Sequence, residues 1–216
     1  MKKKSRRSAP PAQSYTAVYV IVGLFVLAGG FLIYNAFLKP EAGPQDKMTQ
    51  WSSPPEMQID VNKRYTATLH TVKGAIVVEL LPKEAPLTVN NFVFLARQGY
   101  YDGVTFHRVL PGFVAQGGDP TGTGSGGPGY YIPNETASGV TFDGEGLVAM
   151  ANAGPDTNGS QFFITYAPQP SLNGGYTIFG RVTSGMDVAL ALTPRDPSQN
   201  PNAPGDKINS VTIEEK

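Results

Sequence analysis

The chain has 216 residues, of which 40% are apolar, with 17 basic and 17 acidic side chains, two histidines and no cysteine. The lack of cysteine excludes disulfides, thiolate nucleophiles and zinc-finger spacings, and two histidines alone argue against a dedicated transition-metal site. Residues 1–14 carry five basic and no acidic side chains, which leaves 12 basic against 17 acidic side chains in the rest of the chain. An acidic body has no electrostatic footprint for phosphate backbones, so nucleic-acid binding is not expected.

An uncharged apolar run at residues 15–38 follows the basic tail directly. A helix of about 20 apolar residues crosses the hydrocarbon core of a bilayer, and its more basic end faces the cytoplasm. The sequence therefore predicts a cytoplasmic tail at 1–14, a transmembrane signal-anchor helix at 15–38 and a single-pass membrane protein with an extracytoplasmic domain. The alternative is a secreted protein released by cleavage near Gly30, although the apolar region of a signal peptide is usually only about 7 to 15 residues long.

Residues 39–62 contain four prolines among polar side chains and show neither a helical nor a strand period. Such a composition is typical of a linker. The folded domain is then expected at residues 63–216.

The domain begins with strand and helix patterns. Apolar residues alternate over 65–71, and a β-branched run at 75–81 follows a short turn, which predicts an opening hairpin. A helix is predicted at 85–99, where apolar residues recur on one helical face. Short apolar runs between glycine- and proline-rich turns predict further strands at 104–110, 112–116, 147–151, 161–165, 177–182 and 208–213, with a second helix at 186–192. Seven or eight short strands predict a closed antiparallel barrel whose ends two helices could plug.

A glycine-rich segment, Gly122 to Gly127, matches the G-x-G-x-x-G pattern of dinucleotide sites. Pro120 precedes it, and Pro128 follows where a helix would have to begin, so the structural context of a dinucleotide site is absent. We expect this loop to form a groove wall instead.

Two segments, 104–119 and 150–164, mix aromatic residues with isolated polar groups. If the stretch from Phe106 to Leu110 alternates as a strand, Arg108 points towards the apolar side with them. A guanidinium there needs hydrogen-bond partners, and Gln116 and Gln161 are the candidates. A purely structural buried arginine is the alternative interpretation.

These segments, FHRVLPGFVAQGGD and MANAGPDTNGSQFFI, resemble the cyclophilin-type peptidyl-prolyl isomerases. The stretches APLTVNNFVFLARQGYYDG and IFGRV extend the resemblance, in the family's order, over about residues 63–216. The resemblance implies a mainly β fold, an eight-stranded antiparallel barrel capped by two α-helices, here preceded by the predicted transmembrane helix.

The resemblance also assigns roles to individual residues. Arg108 corresponds to the catalytic arginine, and Gln116 is expected to orient it. Substrate-binding roles are implied for Phe113, Val114, Ala151, Asn152, Gln161, Phe163, Leu172 and Tyr176. Val114 and Tyr176 stand where many members have methionine and histidine. Ser171 stands where well-known members have a tryptophan linked to cyclosporin binding, so weak binding of that drug is expected.

The implied reaction is rotation about X-Pro bonds in extracytoplasmic client proteins, which assists their folding. Amide rotation faces a barrier of about 18 to 20 kcal/mol, and because no bond is made or broken, no nucleophile, metal or cofactor is needed. His107 therefore receives a structural role. The expected partners are proline-containing segments of client proteins and the membrane at 15–38, the chain being a monomer that binds no nucleic acid. The alternative function is a non-catalytic proline-peptide-binding or chaperone module on the same fold.

Overall fold

A computed structural model of the protein describes residues 49–216, all of which fall in one compact unit of the chain. The predicted tail at 1–14, the predicted span at 15–38 and residues 39–48 of the predicted linker lie outside the described residues. The domain boundaries therefore stay predictions.

The described part consists of eight strands, two α-helices and a short 3-10 helix at Pro170–Leu172. The strands are β1 Tyr65–Thr71, β2 Gly74–Leu80, β3 Arg108–Leu110, β4 Val114–Gly117, β5 Leu147–Met150, β6 Phe162–Thr165, β7 Ile178–Ser184 and β8 Ile208–Glu215. Helix α1 spans Pro86–Arg97 and helix α2 spans Met186–Leu190. The mainly β architecture with two helices is thereby confirmed.

All eight strands pair antiparallel in one curled sheet, in the order β3-β4-β6-β5-β7-β2-β1-β8. In the described part no ladder joins the edge strands β3 and β8, so the predicted closed barrel is corrected to an open, curled sheet. The chain ahead of β3 meets the chain ahead of β8 in a single bridge, Thr105 with Lys207. The outer edge of β3 is occupied instead by Arg195, whose backbone carbonyl and N–H pair with Val109 (2.7 and 2.9 Å).

Strand β3 is shorter than the strand predicted at 104–110. Ahead of Arg108 the pairing with the β4 side continues only as an isolated bridge between Thr105 and Asp119. On the other edge of this segment, Phe106 donates its N–H to the carbonyl of Asp206 (2.9 Å) and Val104 accepts from Ile208 (2.8 Å). Phe106 is consequently buried in the main core, whereas Arg108 is half-buried on the other face of the sheet. The predicted shared face of Phe106 and Arg108 is therefore wrong.

The main core lies between helix α1 and the inner face of the sheet. Phe92 of α1 stacks on Tyr101 (5.1 Å between ring centroids) and meets Phe162 and Phe179 from the sheet at 5.7 and 5.2 Å. All four rings are at most 1% exposed. Since burial of one such side chain stabilises by about 1.5–3 kcal/mol, this cluster holds the sheet to the helix.

The start of helix α1 is capped by a residue far away in the sequence. The N-cap residue Ala85 offers no side-chain acceptor, and the Glu135 carboxylate instead accepts from the backbone N–H groups of Leu87 (3.0 Å) and Thr88 (2.8 Å). A carboxylate at this position satisfies otherwise unpaired N–H groups and interacts favourably with the helix dipole. The loop carrying Glu135 is thereby tied to the helix.

The localisation predicted from the sequence is corrected. Within residues 49–216, no helix has the length and apolar character needed to cross a bilayer. Helix α1, at 12 residues, would extend about 18 Å against a hydrocarbon core about 30 Å thick. A single-pass membrane protein with an extracytoplasmic domain is therefore not supported, and neither is a membrane contact through residues 15–38.

Candidate active site

The hairpin of β3 and β4 supplies one side of the site. Its turn is Leu110-Pro-Gly-Phe113, closed by a hydrogen bond from the Phe113 N–H to the Leu110 carbonyl (3.0 Å). Gly112 has φ +72°, as the third residue of a type II turn requires, and proline suits the second. This turn places the Phe113 ring directly beside the strand that carries Arg108.

Strand register then aligns three side chains across the sheet. Arg108 on β3 lies opposite Gln116 on β4, and Gln116 lies opposite Phe163 on β6. Directly paired residues of antiparallel strands project from the same face. Arg108, Gln116 and Phe163 therefore form a row on the face opposite the main core.

A small pocket, which we call the aromatic pocket, opens on this row and encloses about 90 Å³. Its floor is Phe163, packed between Phe142 (5.9 Å, stacked) and Tyr176 (5.5 Å, edge-on). The structure brings nine of the ten site residues expected from the sequence into its lining: Arg108, Phe113, Val114, Gln116, Ala151, Asn152, Phe163, Leu172 and Tyr176.

Arg108 lies over the Phe113 ring, with Cζ 5.4 Å from the ring centroid, a cation-π arrangement. The hydrogen bonds expected from its guanidinium to Gln116 and Gln161 are absent among the described residues, because the two glutamines bond to each other, Gln116 Nε2 donating to Gln161 Oε1 (3.0 Å). Without those bonds, the half-buried guanidinium keeps donors for a group bound in the pocket.

Asn152 lies at the end of β5, where the strand ladder stops. On the side facing β6, the preceding residue Ala151 donates its N–H to the Gln161 carbonyl (2.9 Å). The Asn152 side chain donates to the Gly175 carbonyl (3.0 Å). In the described part of the chain, no group bonds to the Asn152 backbone N–H and carbonyl. They can therefore pair with an extended peptide.

Gln161, the tenth expected residue, lines a neighbouring cavity of about 370 Å³, which we call the groove cavity. The groove cavity shares Gln116, Ala151 and Asn152 with the aromatic pocket, so the two form one continuous groove. Its far wall comes from the glycine-rich loop, as the sequence indicated, through Gly124, Ser125, Gly126 and Gly127, and from Tyr131.

Asp119 organises that glycine-rich loop, and the sequence analysis missed it. Its fully buried carboxylate accepts from the Thr121 N–H (2.7 Å), the Thr121 hydroxyl (2.8 Å) and the Gly124 N–H (2.6 Å). The loop carbonyls of Gly124 and Gly126 then accept from Gln161 Nε2 (3.0 Å each). A short acidic side chain two residues before a threonine in a glycine-rich loop was the available signal.

The charge of Asp119 is stabilised by these contacts. Burial raises the pKa of its carboxyl, but the hydrogen bonds from Thr121, Gly124 and Gly126 outweigh burial and hold that pKa below its ordinary value. A carboxylate that stays ionised is a stronger acceptor than a neutral acid, so the loop is fixed by charge-assisted hydrogen bonds.

His107 lies beneath the same loop and outside the pocket. It is 2% exposed, and burial lowers its pKa, with Arg195 and Arg108 adding to the effect and Asp119 opposing it. Its backbone carbonyl accepts from the buried guanidinium of Arg195. These contacts fit a neutral, structural histidine.

Known proteins similar in sequence to this chain come from one family. A family model described as "Cyclophilin type peptidyl-prolyl cis-trans isomerase/CLD" matches residues 66–213. Peptidyl-prolyl cis-trans isomerase ppi1 of Schizosaccharomyces pombe is 51% identical over 150 residues, covering 67% of this chain and 97% of that protein. Peptidyl-prolyl cis-trans isomerase B of Bacillus subtilis is 56% identical over 121 residues, covering 56% of this chain and 85% of that protein.

Solved structures agree with these relatives. A crystal structure of a cyclophilin type peptidyl-prolyl cis-trans isomerase from Cryptosporidium parvum superposes with a TM-score of 0.65 at 37% identity, covering 71% of this chain and 99% of that one. A crystal structure of the same isomerase in the presence of the dipeptide Ala-Pro gives a TM-score of 0.64 at 38% identity. The row of side chains, the pocket and these relatives lead to one conclusion: the chain belongs to the cyclophilin-type peptidyl-prolyl cis-trans isomerases, enzymes that accelerate rotation about X-Pro bonds.

Proposed function

We propose that Arg108 carries the catalytic step by hydrogen-bonding the prolyl nitrogen while the X-Pro bond is twisted. In the planar amide the nitrogen lone pair is shared with the carbonyl and accepts nothing. At mid-rotation the nitrogen becomes pyramidal and regains its lone pair, which a guanidinium N–H can bind. Such an interaction exists only in the transition state and therefore lowers the barrier.

The position of Arg108 at the aromatic pocket is the observation that carries this proposal. Its guanidinium is held over Phe113, and in the described part of the chain it makes no hydrogen bond that would have to break first. Gln116 positions this side of the pocket from the neighbouring strand, through its bond to Gln161.

The substrate is a proline-containing segment of a client protein. Phe113, Val114, Phe163 and Leu172 bury the pyrrolidine ring, and the Asn152 backbone holds the adjoining chain while the other flank rotates. Isomerisation of prolines is a slow folding step, so the enzyme assists folding of its clients. It acts as a monomer and needs no cofactor.

The kinetic roles of the pocket residues provide the test. Truncating Phe113 to alanine removes apolar contact worth about 1.4 kcal/mol, so KM for an Ala-Pro peptide should rise about tenfold. Because the ring also supports the Arg108 guanidinium, kcat should fall too, but by a smaller factor than KM rises. Leu190→Ala, which removes an exposed apolar side chain outside the pocket, is the matched control. A Phe113→Ala enzyme with unchanged KM would contradict the proposed binding mode. Peptide binding without acceleration by the unmodified chain would favour a non-catalytic binding module.

A further inference from the structure

The segment ahead of β1 packs on the domain although it contains no helix or strand. We call residues 49–60 the N-terminal strap; it lies outside the region matched by the family model, 66–213. The Asn90 side chain of α1 holds it, accepting from the Gln58 N–H (2.7 Å) and donating to the Glu56 carbonyl (3.0 Å). Ile59 enters the main core.

Trp51 anchors the far end of the strap. Its ring meets Phe94 edge-on (5.2 Å between centroids) and lies tilted against Tyr100 (5.8 Å). Its backbone N–H donates to the Pro128 carbonyl (2.9 Å). At Gly129, which has φ +95°, an added Cβ would come within 2.7 Å of the Trp51 carbonyl oxygen. The strap is thus in direct contact with the loop 125–131.

Loop 125–131 is also the outer wall of the groove. Ser125, Gly126, Gly127 and Tyr131 line the groove cavity on one side and, on the other, an outer cavity of about 560 Å³ that reaches Gln50 of the strap. The loop is held at Gly126 by Gln161 (3.0 Å) and at the buried Tyr130, whose hydroxyl donates to Asn91 (2.6 Å). Gly127, between these two points, lines cavities on both sides, and void-lining atoms lose contacts in this part of the wall. The backbone hydrogen bond from Trp51 to Pro128 therefore helps to fix the position of this wall.

We propose that Trp51 is a positioning residue for substrate binding: the strap fixes loop 125–131 so that the groove cavity is preformed for the residues next to the proline. This role rests on the proposed function, because the groove cavity continues from the aromatic pocket. A wall already in place reduces the ordering cost of binding an extended peptide. A peptide too short to leave the aromatic pocket does not depend on the strap.

The test compares two peptides on the full chain. One is the short acetyl-Ala-Pro-amide, and the other is an octapeptide with Ala-Pro at its centre; both are followed by exchange NMR over a range of concentrations. In Trp51→Ala we expect KM for the octapeptide to rise about 3- to 10-fold, with kcat and the short peptide unchanged. Trp51→Phe keeps an aromatic ring against Phe94 and Tyr100 and should behave as the unmodified chain.

A second variant and a spectroscopic readout guard against a simple folding defect. Gly129→Ala pushes the loop from the Trp51 carbonyl and should reproduce the octapeptide effect with Trp51 intact. Trp51 is the only tryptophan, so its emission should change on saturation with the octapeptide and not with the short peptide. Equal KM values in all variants, or equal losses with both peptides, would overturn the role of Trp51 alone. An unmodified chain inactive on both peptides would overturn the proposed function as well.

Discussion

Replacing Asp119 tests whether the glycine-rich loop controls the position of Gln116 in the row of Arg108, Gln116 and Phe163. In Asp119→Asn, the remaining carbonyl oxygen can still accept from Thr121, but the new amide group faces the Gly124 N–H, which bonds to the second carboxylate oxygen (2.6 Å). The new amide N–H and the Gly124 N–H are both donors, so the hydrogen bond that holds Gly124 is lost. The loop carbonyls of Gly124 and Gly126 lose their fixed positions, and with them Gln161 and its bond to Gln116.

The magnitude follows from these contacts. A hydrogen bond to a charged group contributes about 1.5–3 kcal/mol, and one such bond is lost near solvent, where Gly124 can regain a water partner. The free energy of unfolding should therefore fall by about 1–2 kcal/mol in Asp119→Asn, and by about 2–4 kcal/mol in Asp119→Ala, which removes every acceptor. If loosening Gln161 costs about 1 kcal/mol in the transition state, kcat/KM falls about fivefold.

Urea unfolding and exchange NMR on the full chain measure the two effects separately. Asp143→Asn, which removes one charge from an exposed side chain outside the groove, is the matched control and should leave both quantities unchanged. An Asp119→Asn enzyme that is destabilised but keeps full kcat/KM would refute the positioning route through Gln161. One that keeps full stability would refute the importance of the charge itself.

Three further predictions concern other contacts. Because the pKa of His107 is lowered in the folded chain, the unfolded chain takes up this proton at a higher pH, near 6.5. The stability contributed by neutral His107 is therefore complete above about pH 6.5 and is lost as pH falls towards the lowered pKa. Urea unfolding at pH 7 and pH 5 should show a smaller loss in His107→Gln, and equal losses would contradict the buried neutral state. Glu135→Gln weakens the cap of α1 and should lower the free energy of unfolding by about 1 kcal/mol, whereas no change would mean that solvent caps the helix equally well. Ser171→Trp supplies an exposed ring beside Leu172 and should tighten cyclosporin binding at least tenfold in a titration, which an unchanged affinity would exclude.

Much of the fold was predictable because it depends on local patterns. The alternation over Tyr65–Thr71 and the helical spacing before Gly99 report burial on one face, and both elements occur within two residues of their predicted bounds. Strand β3 was not predictable in length, because Phe106 and Val104 bond to residues about 100 positions later. The open sheet was not predictable either, because the outer edge of β3 pairs with the distant residue Arg195 and not with β8.

The candidate site was also predictable only in part. The resemblance named the residues of the aromatic pocket, but the row of Arg108, Gln116 and Phe163 arises from strand register, which no local period encodes. The bond between Gln116 and Gln161, in place of the expected bonds to Arg108, depends on side-chain geometry. The strap shows neither a helical nor a strand period, because contacts with side chains of the domain hold it and no strand pairing does.

Exchange NMR on an Ala-Pro peptide tests most directly whether Arg108 stabilises the twisted X-Pro bond, because this measurement observes the rotation itself. We expect the full chain to accelerate cis-trans exchange. Arg108→Ala should reduce kcat by about 10²–10³, as loss of one preorganised transition-state donor does, while keeping peptide affinity and the fold. Arg108→Lys, which keeps the charge without the planar fork, should fall between the two. Exchange by Arg108→Ala at the rate of the unmodified chain would contradict the account.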